Sequence, residues 1–230
     1  MEIFEKALIY SHVGAGTLAL LGGLMAAFIG KKGGKLHRQV GGASYWSMFW
    51  IFVSALLLVS FVRFNFFLLI IAVFSYYMAF SGVRTLKIKK TGKVAMLDWV
   101  ACGLTIAFGL SLFGYGLYRI TIMGNAGALS ILSLLFGFFT ANTARQNLNI
   151  YRNIHKSHKM WWWLAHMNNM NGSLIACITA FLVQNGRIFD LPNSLNWLPW
   201  VLPAMAGAPL TAYYANKYRR QFKIGKYASA

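Results

Sequence analysis

Five histidines, His12, His37, His155, His158 and His166, are the side chains best able to do chemistry in this sequence. Imidazole is the commonest metal ligand, a usual axial ligand of haem iron, and the group that exchanges protons near neutral pH. His166 heads a polar stripe at helical spacing through Asn169, Met170, Ser173 and Cys177, with Asn168 and Asn171 beside it. Lipid cannot satisfy such a stripe, so it must meet protein, water or a ligand. Helix-to-helix bonding by Asn and Ser is the plain reading, and a functional site at His166 is the sharper one. His12 shares its face with Ala15, Gly16, Ala19 and Gly23, so it points at a neighbouring helix. A single interhelical hydrogen bond and a ligand or proton-handling role are both open for it.

His37 stands in the stretch His37-Arg38-Gln39-Val40-Gly41, and His155 and His158 stand beside Lys156 and Lys159. A basic, solvated membrane flank is the plain reading of all three. Topology nevertheless puts His37, His158 and His166 at one depth, near the cytoplasmic surface. Three imidazoles there could ligate a metal, or two of them a haem iron. Asp98 lies one turn into a span on the same side, with Cys102 and Thr105 on its face. It either pairs with a nearby basic residue or completes the histidine cluster as a direct or supporting ligand. His12 has no second histidine at its depth, so a haem path across the membrane is not expected. Cys102 and Cys177 both lie in apolar runs and form no metal or disulfide motif. Phosphate loops, H-E-x-x-H and nucleophile-elbow signatures are absent. So are a span-7 lysine for retinal and an H-x-x-x-H pair on a late helix.

These residues must be positioned by membrane helices. Of the 230 residues, 58% are hydrophobic and 11% charged, against about 25% charged in a soluble domain. Too few polar side chains exist to cover a water-facing surface. The net charge of +18 comes in short basic clusters between long apolar runs, which is the pattern of membrane flanks and not of a nucleic-acid binder. Spans are expected at 6–30, 39–62, 64–83, 95–118, 124–144, 161–183 and 197–216. The expected fold is all-α, a polytopic bundle of about seven transmembrane helices forming one transmembrane domain over 1–230. Glu2 and Glu5 at the start argue against a cleavable signal peptide.

All Lys and Arg except Lys6, Arg63, Arg119 and Arg187 fall on one side of this arrangement. That side is the cytoplasm by the positive-inside rule, so the N-terminus is outside and the C-terminus inside. Trp161, Trp162 and Trp163 open span 6, and Trp197 and Trp200 open span 7, as interface anchors do. Span 1 carries a ridge of Ala15, Ala19, Gly23 and Ala27, flanked by Gly16, Gly22, Ala26 and Gly30, which suits close packing on neighbours. Pro199, Pro203 and Pro209 predict a kink in span 7.

His12 with its Gly/Ala-rich span, the Gly-Gly-Lys-Leu-His37-Arg38 loop with Gly41 beyond it, and His166 followed by Asn171-Gly172-Ser173 together resemble a poorly characterised family of predicted bacterial multi-span membrane proteins. The resemblance implies a membrane fold and no particular reaction. A histidine near the start of span 1 and another at a cytoplasmic loop are also similar, more loosely, to b-type cytochrome membrane domains. Three functions follow as expectations. The first is a redox protein of the bacterial inner membrane, holding a haem b or a metal ion through His166 with His37 or His158. The second is a transporter or lipid-handling protein, and the third an accessory subunit bound to other membrane subunits. The bilayer is the expected partner in all three, and nucleic acid in none.

Overall fold

The structure, a computed structural model, describes residues 2–29, 31–156, 158–186, 192, 195, 197–224 and 227. Gly30, Arg187 and Lys226, counted above in the spans and charge clusters, lie outside the described residues, as does the side chain of Lys156. Seven α-helices occur among the described residues: α1 (Glu2–Phe28), α2 (Lys35–Phe61), α3 (Phe66–Thr91), α4 (Met96–Thr121), α5 (Ala128–Arg152), α6 (Trp161–Gln184) and α7 (Leu198–Gln221). A short 3-10 turn, Ile154–Lys156, precedes α6.

Five of these, α1 to α5, are long and apolar enough to cross a membrane. Both α6 and α7 have 24 residues, about 36 Å of helix, so length is not what sets them apart. The asparagines and His166 lower the hydropathy of α6, and prolines with a basic end lower that of α7. Large apolar side chains such as Leu18, Leu104, Leu110 and Phe138 lie mid-helix and more than half exposed. Exposed apolar surface on that scale suits hydrocarbon, not water.

Several helices outrun the apolar segments that announce them. The third was expected to end at Val83, yet α3 continues to Thr91 and carries Arg84, Lys87, Lys89 and Lys90 on helical backbone. The fifth was expected to end at Ala144, yet α5 runs to Arg152. Lys, Arg and Gln are good helix formers, so helices continue beyond the lipid-facing core into the polar interface. Helix α7 runs through Pro203 and Pro209, while Pro199 lies in its first turn, where a missing N–H costs little.

The chain divides into two compact units, 1–83 with 166–230, and 84–165. In the first, α1 packs closely on α2. A Cβ added at Gly22 would lie 2.9 Å from the Val40 carbonyl, so only glycine allows that approach. The Ser44 hydroxyl crosses the contact and donates to the Ala19 carbonyl at 2.9 Å. Ala19, Met48 and Ala79 form a buried cluster, with Tyr45, Ile51, Tyr76 and Cys177 against it. The turn from α1 to α2 uses Gly33 at φ +77°, a conformation that favours glycine. There Lys32 donates to the Ala26 carbonyl at 3.0 Å and to that of Ala27 at 2.5 Å, satisfying the exposed C-terminal end of α1. Partial burial draws the Lys32 ammonium below the ordinary lysine range.

In the second unit α4 and α5 form the tightest helix pair. A Cβ at Gly137 would sit 2.5 Å from the Phe113 nitrogen, and one at Gly109 would sit 2.6 Å from the Ala141 nitrogen. The Cys102 thiol donates to the Ala144 carbonyl at 3.1 Å, which fixes that cysteine as a packing group. Asp98, 1% exposed, receives Nε and Nη2 of Arg84 at 2.5 and 2.7 Å. Its second oxygen also accepts the Ala95 N–H at 2.9 Å, closing the start of α4.

Candidate functional site

His12, His37 and His166 are each held by one ring nitrogen. His12 Nδ1 lies 2.8 Å from the Ser54 hydroxyl. That hydroxyl spends its proton on the Trp50 carbonyl at 2.6 Å, so it accepts from His12, whose Nδ1 carries the hydrogen. His37 lies in the first turns of α2, and its Nδ1 is 3.1 Å from the Ala26 carbonyl. His166, in the second turn of α6, has Nδ1 2.8 Å from the Gly82 carbonyl of α3. A carbonyl only accepts, so Nδ1 carries a hydrogen in both rings, and in the neutral form the lone pair lies on Nε2.

Glycine makes the His166 contact attainable. A Cβ at Gly82 would come within 2.7 Å of Met170 Sδ, so α6 approaches α3 closely at this point. Gly172, one turn further along α6, packs against the end of Met78, where a Cβ would collide. The small residues of α3 and α6 thus set the depth at which His166 meets main chain. On the other side, the α1–α2 turn delivers His37 to the carbonyl of Ala26, the residue that Lys32 also contacts.

These placements bring His37 and His166 together. Their ring centroids are 6.4 Å apart and the planes cross at 73°. Two imidazoles on opposite sides of one metal, each bonded at about 2.0 Å, would have centroids about 6 Å apart. The pair therefore has a spacing suited to sharing one centre through Nε2. Nδ1–H bonded to a carbonyl, with Nε2 free, is the usual outer-shell support of a metal-binding histidine.

The other expected site residues are placed differently. His158 is exposed, and its Nδ1 accepts the Met160 N–H at 3.1 Å. Asp98 is engaged by Arg84 and by the start of α4, which occupies both of its oxygens. Among the described residues no group of three or more His, Cys, Asp or Glu is placed to hold a metal ion. The three-histidine set with Asp98 is thus not assembled there, and His37 and His166 are neighbours through their ring contact. Asn169 and Ser173 are buried, and Asn171 donates to the Thr211 hydroxyl of α7 at 3.3 Å. Asn169, Asn171 and Ser173 are therefore packed against protein, whereas Asn168 is exposed.

Sequence reasoning missed the supporting main-chain groups, the Gly82 and Ala26 carbonyls. Main-chain acceptors leave no side-chain signature. Gly82 itself, small and next to the basic end of α3, was the available hint.

No protein-family model, curated protein or solved structure matches the chain. Its class rests on its own helices: this is an integral membrane protein built of α-helices, with contact to the lipid bilayer through several long apolar spans.

Proposed function

We propose that the chain is a seven-span protein of the bacterial inner membrane that holds a haem b iron or a transition-metal ion between His37 and His166 for electron transfer. The observation that carries this reading is the pair itself. Two imidazoles lie 6.4 Å apart, each with Nδ1 given to a main-chain carbonyl. A bound iron or copper would supply one-electron redox chemistry there. The protein's part is to hold Nδ1 of each ring on a carbonyl and leave Nε2 for the ligand bond.

The orientation, with the N-terminus outside and the C-terminus in the cytoplasm, is supported by the bias of Lys and Arg. It counts α6 and α7 as spans, because both are long enough and α6 buries Asn169 and Ser173 within the protein. The kinship we propose is with the bacterial multi-span family that the histidine and glycine motifs resemble. The burial of Asn169 and Ser173, and the bond from Asn171 to Thr211, favour packing over a transport path along α6.

The test is an absorbance spectrum of gently purified protein, oxidised and reduced, with metal analysis on the same sample. A Soret band or stoichiometric metal that is lost in His166→Ala and His37→Ala, and kept in His155→Ala, is the expected result. Retention of the cofactor in His166→Ala would overturn the assignment.

A further inference from the structure

A cavity of about 380 Å³ opens where the end of α3, the 3-10 turn and the start of α6 meet within the unit 84–165. Its polar groups are Lys89, His155 and Lys159, and its apolar wall includes Ile88, Met160 and Trp162. Among the described residues no carboxylate lines it. The unit's own acid, Asp98, is taken by Arg84. The Lys89 ammonium stands 3.7 Å from the centre of the Trp162 ring, so one cation is held over an aromatic face, with no acidic partner among the described residues. Tryptophan at this level of a spanning helix marks the boundary between hydrocarbon and headgroups.

We infer that this cavity binds the phosphate headgroup of an anionic phospholipid from the cytoplasmic leaflet. Lys89 and Lys159 supply two donors to one phosphate, and His155 adds a third when protonated. The apolar wall of Ile88, Met160 and Trp162 receives the start of an acyl chain. A free phosphate would use the first half of the site only, which is why the lipid is the better fit. The site uses none of the residues of the histidine pair, so it stands or falls apart from the metal reading, while its placement in the cytoplasmic leaflet rests on the orientation proposed above.

The experiment is native mass spectrometry of the full chain released from nanodiscs. The nanodiscs hold phosphatidylglycerol and phosphatidylcholine with identical acyl chains. Wild-type protein is expected to retain phosphatidylglycerol and not phosphatidylcholine. Lys159→Gln, a change at an exposed position, should weaken retention about fivefold, and adding Lys89→Gln should weaken it about fivefold more. A charge-matched control, Lys87→Gln with Lys90→Gln, removes exposed lysines of α3 that do not line the cavity and should retain lipid as wild type does. Equal retention of both lipids, an equal loss in the control, or displacement of the lipid by millimolar inorganic phosphate would overturn the proposal.

Discussion

His37 and His166 meet ring to ring at 6.4 Å although they belong to opposite ends of the sequence, one in α2 and one in α6. Each is turned by a carbonyl from a third helix position, Ala26 at the end of α1 and Gly82 in α3. Four helices therefore contribute to placing the two rings.

The Gly82 approach is the most easily disturbed part of that arrangement. Gly82→Val puts branched carbons where Met170 Sδ and Asn169 Cβ already lie, and it should push α6 off α3. Cofactor affinity should fall by about tenfold, as for the loss of other outer-shell supports. Gly114→Val, where nothing lies within 4 Å, should leave affinity unchanged. Titration of the purified apoprotein with haem or metal distinguishes the two.

The Arg84–Asp98 pair has a structural role by the same kind of reasoning. Its side chains are 12% and 0% exposed. Asp98→Ala strands a guanidinium and uncaps α4, and should destabilise the protein by about 3–5 kcal/mol. Arg84→Met combined with Asp98→Leu removes both charges and should recover most of that loss. Thermal melting in detergent reads both, and cofactor content should follow stability rather than fall selectively.

Close packing of α4 on α5 makes a graded prediction. Gly137→Ala and Gly109→Ala each push a methyl group onto backbone atoms, which cannot move aside as a flexible side chain would. Each should cost about 1–3 kcal/mol. Gly103→Ala, on the same α4 with nothing within 4 Å, should be neutral or slightly stabilising.

Span number is checked by reporter fusions. Alkaline phosphatase joined after Gln184 should be active and green fluorescent protein there dark, because seven spans put the end of α6 outside. Fused after Gln221, the two should reverse. Cytoplasmic reporters at both positions would reduce the count to five spans, α1 to α5.

How much of this was legible in the sequence depends on what carries the information. Seven helices in order could be read because an apolar run in lipid has one way to satisfy its backbone. Helix ends could not, because Arg84 and Lys87 through Lys90 look like loop in a hydropathy profile and are α3 in the structure. His37 and His166 stood out by type and by side of the membrane. Their pairing did not, since sequence gives depth but not adjacency. His158 shared that depth and proved to be an exposed residue bonded to Met160, because depth alone does not choose among histidines. Asp98 was visible as a costly intramembrane acid, and pairing with a basic residue was one of its two readings. Its partner Arg84 became visible only once α3 was seen to extend past Val83.

The most direct test of the shared centre is electron paramagnetic resonance of the oxidised protein, with nitrogen couplings resolved by a pulsed method. If no iron is bound as isolated, the same spectrum is taken after loading with one equivalent of copper(II). The account predicts a single centre with two imidazole ligands, reduced to one in His37→Ala and one in His166→Ala, and absent in the double variant. A centre with unchanged imidazole couplings in the double variant, or protein that binds neither haem nor copper, would contradict it.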